Sequence, residues 1–191
     1  SQVAQDTVTV TLSAQLNDAS QQAVNTQLSE ALDSAVKTAK KQDKVKVYSG
    51  NFRVWPFTDE DGKVTRWQGR AELILESTDF AAASELAASL GDPLSITNIA
   101  FSVSPERRAK AEEALLEDAA SAFRKRAQAL VAAFGFQSYR IKELNLGGAG
   151  MEYAPAPRMM AADKASVPLE GNTETVTVSV QGTIYLQRES K

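Results

Sequence analysis

The chain has 191 residues, 43% of them hydrophobic and 24% charged, and its net charge is −3. That length and balance suit a globular fold with a real core, and the lack of a basic excess argues against a nucleic-acid partner. There is no histidine and no cysteine, which excludes Ser-His-Asp and Cys-His nucleophiles, HExxH zinc sites and every cysteine-based metal, redox or disulfide motif. No apolar run approaches the roughly 20 residues that a membrane-spanning helix needs. Ser1 leads almost at once into strand-like sequence, so the chain is expected either to be cytosolic or to have lost an export signal already.

Asp6 to Leu16 alternates strictly, with Val8, Val10, Leu12, Ala14 and Leu16 on one side and threonine, serine and glutamine on the other. This predicts a strand with one buried face. Asp18 or Ser20 then caps a helix whose apolar stripe is Val24, Leu28, Ala31, Leu32, Ala35, Val36 and Ala39. A hairpin follows, Val45 to Phe57 and Val64 to Glu76, joined by an acidic turn. If Phe57 faces Val64, then Val54 faces Trp67 and Phe52 lies over Gly69. Phe52, Val54, Trp67, Ala71, Leu73 and Leu75 then share the buried face. Arg53, Trp55, Arg66, Arg70 and Ile74 share the other. Loss of Trp67 is accordingly expected to destabilise the fold, and loss of Trp55 to matter little.

Asp79 caps a second helix, Phe80 to Leu90, which the Gly91-Asp92-Pro93 turn ends. Ile99, Phe101 and Val103 read as a fourth strand with a bulge near the out-of-phase Ile96. Ser104, Pro105 and Glu106 open the longest helix, which runs to Phe134 and stops at Gly135. Its expected core stripe is Leu115, Ala119, Ala122, Phe123, Leu130 and Phe134. Tyr139 to Leu146 is a fifth strand, residues 147–171 form a mobile loop rich in glycine, proline and methionine, and Thr173 to Gln187 is the last strand. The fold class is α+β, expected as a single domain over residues 1–191. Its element order β-α-β-β-α-β is that of a ferredoxin-like fold, followed by α-β-β, with an antiparallel sheet and its helices on one face. The place of the last two strands is left open.

Few residues offer chemistry. Ser34 and Lys37 match S-x-x-K, but inside a helix and without a following K-T-G strand. Asp59, Glu60 and Asp61 before Gly62 lack calcium-loop spacing and read as a solvated turn. Gly147, Gly148 and Gly150 precede prolines instead of a helix, so a hinge is expected there and not a phosphate cradle. The Arg124-Lys125-Arg126 run sits on a mixed-charge, solvated helix face. Glu72 and Glu76 are the nearest thing to paired carboxylates. No catalytic, metal or cofactor site is expected, and the protein reads as a non-enzyme.

Two features remain. Trp55, Phe57 and Ile74 interrupt an otherwise polar sheet face, with Trp55 opposite Arg66, where a cation–π stack is the simplest reading. The same four residues, Trp55, Phe57, Arg66 and Ile74, form a possible contact patch for a second copy, an envelope protein or a glycan. All three methionines, Met151, Met159 and Met160, lie in the long loop, where soft thioethers suit sacrificial oxidation or weak Cu(I) binding as well as simple anchoring.

Taken in order, several segments together resemble the SIMPL-domain family of bacterial exported proteins. They are the opening VTVTLSAQ strand, the SGNFRVWPFTDEDGKVTRWQGRAEL hairpin, ITNIAFSVSP leading into AEEALLEDAASAFRKRAQAL, and the final VTVSVQGTIYL strand. The similarity runs from Val8 to Leu186. It implies a periplasmic or cell-surface location after signal removal, an association with oxidative or envelope stress, and homo-oligomers in at least some relatives. It brings no catalytic residues with it. The expected function is therefore self-assembly or partner binding in the envelope. Carbohydrate binding or processing on the outer sheet face, and a methionine-loop redox or copper buffer, are the alternatives.

Overall fold

A computed structural model describes residues 1–147 and 169–188. The fold is α+β, and the chain gathers into two compact units. Among described residues, one unit contains 5–102 and 169–172, and the other contains 1–4, 103–147 and 173–188.

In chain order the elements are β1 (Gln2–Ala4), β2 (Thr7–Asp18), α1 (Gln21–Ala39), β3 (Lys46–Thr58), β4 (Val64–Ser77), α2 (Phe80–Ser89) and β5 (Ser95–Ser102). They continue with α3 (Pro105–Ala133), β6 (Ser138–Gly147), β7 (Thr173–Thr175) and β8 (Ser179–Gln187). The unit spanning 5–102 is a four-stranded antiparallel sheet in the order β3-β4-β2-β5. This is the ferredoxin-like arrangement expected from the element order.

The alternation of β2 decides which face is covered. Val8, Val10, Leu12 and Ala14 are buried together with Ala71, Leu73 and Leu75 of β4. Val24, Leu28, Ala35 and Ala39 of α1 and Ala83, Leu86 and Ala87 of α2 close over them, so both helices lie on one sheet face. Ser20 caps α1 by accepting a hydrogen bond from the Ala23 amide, while Asp18 accepts from the Ser20 amide. The expected bulge is present in β5: Thr11 faces Asn98 but Leu12 faces Ile96, so Thr97 is the extra residue. Its hydroxyl donates to the Thr11 carbonyl, and the insertion returns Ile96 to the phase of Ile99 and Phe101.

The hairpin differs in register from the sequence reading. Phe57 pairs with Arg66, Val54 with Gly69 and Phe52 with Ala71, a slip of two residues. The turn is the cause. Asp59 Oδ1 accepts from the amides of Asp61 and Lys63, and Thr65 is squeezed out where Thr58 faces Val64 but Phe57 faces Arg66. A two-residue slip keeps each side chain on its expected face. A second irregularity between Ser49 and Phe52 leaves Phe52 46% exposed, so Phe52 does not cover Gly69. That glycine is covered by the helix: a Cβ there would lie 2.4 Å from Val24 Cγ1 and 2.6 Å from Leu28 Cδ1. Trp67 packs against the core, but both tryptophans are half-buried, which narrows the expected contrast between them.

Asp79 caps α2 through the Ala82 amide and also accepts from Lys44 Nζ at 2.8 Å. The Lys44 ammonium, and then the Ala82 amide, hold the Asp79 carboxyl below its ordinary 3.8, while the same hydrogen bond raises Lys44 above 10.5. A depressed carboxyl stabilises the fold above its unfolded value, and that contribution is lost as pH falls through the folded value. The raised lysine stabilises below its unfolded value and is lost as pH rises through the folded one. Asp79→Asn should therefore flatten part of the acid limb when thermal midpoints are measured from about pH 5 to pH 2. The effect is small, because both groups face solvent.

The second unit is built around α3. Ser104 caps it by accepting from the Arg107 amide, Pro105 occupies its first turn, and Gly135 ends it at φ +69, a value that favours glycine. Its covered stripe is Leu115, Ala119, Phe123, Ala127 and Val131, with Ala127 2% exposed. Ala122, Leu130 and Phe134, expected on the core stripe from the sequence, are instead all exposed, Phe134 by 66%. Repeated four-residue steps from Leu115 follow the stripe better than mixed steps of three and four.

The last two strands do not join the four-stranded sheet. β6 and β8 pair with each other in an antiparallel ribbon that packs on α3. The expected final strand is also interrupted. Its first part, β7, pairs instead with β1, where the Ser1 ammonium donates to the Val176 carbonyl and the Val176 amide to the Ser1 carbonyl. An Arg108–Glu174 ion pair ties β7 to α3.

Candidate functional site

Each unit presents one surface unlike an ordinary solvated face. The first is the outer face of the four-stranded sheet. At its lower end Tyr48 pairs across with Ile74, and Lys46 with Glu76. Glu76 accepts from Lys46 Nζ at 3.4 Å and from the Tyr48 hydroxyl at 3.3 Å. Burial, followed by the Glu76 charge and its hydrogen bond, raises the Tyr48 phenol above its ordinary 10.0. Glu72 is bound to Arg70 at 3.2 Å and to the Asn51 amide nitrogen at 3.0 Å. The two glutamates are four positions apart on one strand, about 13 Å, and each is tied to its own partners. They are wired as structural ion pairs.

At the upper end the strand register places Arg53 opposite Arg70, Trp55 opposite Gln68 and Phe57 opposite Arg66. Gln15 and Asn17 of β2 extend the rungs of Arg70 and Gln68. The expected cation–π contact thus has a different ring: the Arg66 guanidinium lies 4.2 Å from the centre of Phe57, and Trp55 faces Gln68. The register slip explains the exchange. Of the proposed contact residues, Trp55, Phe57 and Arg66 come together at this upper end. Ile74 sits apart, beside Tyr48 and Thr11.

The second surface belongs to the β6–β8 ribbon. Tyr139, Ile141, Leu144 and Leu146 share a face with Leu186, Ile184, Gly182 and Val180, the bulge at Lys142 keeping the apolar side chains in phase. Phe123 of α3 approaches at Gly182, where an added Cβ would lie 3.1 Å from its ring. Cover is incomplete, because Ile141 is 41%, Leu144 47% and Leu146 63% exposed. The opposite face is polar, with Arg140 and Lys142 over the Tyr185 ring at 5.7 and 5.6 Å. Sequence reasoning missed this surface. The apolar alternation was visible, but it cannot show that one helix covers only part of it.

An apolar cavity of about 260 Å³ lies in the first unit, lined by Val10, Ala87, Leu94, Ile96, Ile99 and Leu169 among others, with Ser84 and Ser95 as its polar edge. No titratable side chain lines it. Among the described residues no group of three or more acidic side chains is placed to hold a metal ion, and no helix is long and apolar enough to cross a membrane. Met151, Met159 and Met160 lie outside the described residues, as does most of the 147–171 stretch. Of that stretch, Gly147 closes β6 and Leu169 packs against the core of the first unit.

No curated protein matches the chain. A family model, SIMPL, described as a protein of unknown function (DUF541), matches residues 1–184. With nearly the whole chain matched, this protein belongs to the SIMPL family.

Proposed function

We propose that this protein works without catalysis, as an exported envelope module that assembles with copies of itself. The observation that carries the reading is the incompletely covered apolar face of the β6–β8 ribbon, on which Ile141, Leu144 and Leu146 remain about half exposed or more. Burying what remains of three such side chains contributes about 1 kcal/mol each. That is too little alone against an association cost of about 4 kcal/mol or more. The ribbon supplies the remainder, because it is two-stranded and both outer edges are unpaired among the described residues. A second copy laid along one edge would add main-chain hydrogen bonds and extend the apolar face in one step. The exported location and the link to oxidative or envelope stress rest on the sequence resemblance, and cell fractionation tests the first of these.

The assembly test is direct. Light scattering of the purified chain at micromolar concentration should give a multiple of the 20.6 kDa protomer mass. Leu146→Glu should return the monomer with its thermal midpoint nearly unchanged, because that side chain contributes little to the protomer core. A wild-type monomer removes the proposal. An oligomer that survives Leu146→Glu and Leu144→Glu together moves the interface elsewhere.

A further inference from the structure

The upper outer face of the four-stranded sheet holds two arginines in an arrangement that the fold itself does not favour. Arg53 and Arg70 are direct cross-strand partners, and like charges at that distance destabilise a sheet. Arg70 is compensated by Glu72 and by the Ser13 hydroxyl, to which its Nε donates at 2.9 Å. Arg53 is exposed, and its side chain makes no ion pair or hydrogen bond among the described residues. Two rungs along the same face stands Arg66, its guanidinium over the ring of Phe57. On the rung between them Trp55 stands opposite Gln68, Asn17 extends that rung and Gln15 the rung of Arg70, and the side-chain amides of all three are without a partner among the described residues.

We infer that this face binds an acidic carbohydrate, with a sugar carboxylate held between Arg53 and Arg70. A carboxylate there would relieve the like-charge pair and accept the forked donors of a guanidinium. The half-buried Trp55 offers a rigid amphipathic surface to a sugar ring, and unpaired amides donate to and accept from hydroxyls. From the Arg53 rung to the Arg66 rung is about 13 Å along the strands, which suits a short oligosaccharide carrying spaced charges. A nucleic acid fits less well. Its phosphates are far denser than these arginines, the chain is net negative, and the hairpin ends in Asp59, Glu60 and Asp61. This inference is independent of the assembly proposed above.

The probe is an oligogalacturonate, titrated into the wild-type chain of residues 1–191 by calorimetry, with its methyl ester as the uncharged control. Binding should be saturable, and the ester should bind at least tenfold more weakly. Arg53→Gln should weaken binding at least tenfold while leaving the thermal midpoint unchanged or higher, because it removes a like-charge pair. Trp55→Ala should weaken it as well. No binding at millimolar oligogalacturonate, or equal affinity for the ester, overturns the inference. So does Arg53→Gln lowering the thermal midpoint without affecting binding, which would make the arginine structural. Tighter binding of an oligothymidylate or a polyglutamate would assign the face to a different polyanion and equally overturn it.

Discussion

Replacing Leu12 with alanine should lower the unfolding free energy by about 2–5 kcal/mol, the range for deleting a fully buried leucine. Leu12 is 0% exposed and sits on β2, one of the two central strands of the sheet, opposite Leu73 and Ile96. Sheet and helices meet around this position, so the cavity cannot collapse without moving α1 or α2 off the sheet. The matching control is Leu16→Ala on the same strand and face, where the side chain is only half-buried. Its cost should be under about 2 kcal/mol, since less apolar area returns to water. Urea titration separates the two: the Leu12 variant should shift the midpoint strongly with the slope unchanged. Equal shifts would mean that the buried cluster is not centred on this strand.

Gly69→Ala is the second large effect, and it arises from crowding. The backbone at Gly69 is ordinary extended strand, since only Gly62 and Gly135 have positive φ among the described residues. What forbids a side chain is α1, whose Val24 and Leu28 already occupy the space of the Cβ. Forcing one methyl group into a packed interface costs about 1–3 kcal/mol. Val24→Ala removes the nearer methyl groups at a cost of its own. The Gly69→Ala/Val24→Ala double variant should lose clearly less than the sum of the two single losses. Additive losses in the double-mutant cycle would show that the helix does not seat on this glycine.

Where one residue type has one meaning, the sequence was readable. Strict alternation over Val8 to Ala14 can only be a half-buried strand, and Ser20, Asp79 and Ser104 stand where helices need an oxygen for their free amides. Even the bulge at Thr97 could be anticipated, because Ile96 and Ile99 cannot face one way in an unbroken strand. What stayed hidden depends on partners. The hairpin register turned on how Asp59 folds the turn around its own carboxylate, and no pattern of hydrophobicity encodes that. Thr173 to Gln187 alternates throughout, yet one part pairs with β1 and the other with β6, because alternation describes side chains and not hydrogen-bonding neighbours. The upper-face residues were seen in part. Trp55, Phe57 and Arg66 stood out as aromatics and a cation on a polar face, whereas the Arg53–Arg70 opposition appears only when the register is known.

The chain order of the two units has a consequence during synthesis. Every strand of the four-stranded sheet lies between Thr7 and Ser102, so that sheet can pair before α3 has been made. The second unit is stitched from segments far apart in sequence: Ser1 bonds to Val176, 175 positions away, and β6 waits for β8. Closing such long loops is slow relative to local pairing. As the polypeptide leaves the ribosome, α3 emerges with its stripe of Leu115, Phe123, Ala127 and Val131 but without the strand that covers part of it. That interval is when a nascent chain is most open to aggregation or to capture by a chaperone. It ends only when Gln187 has been made.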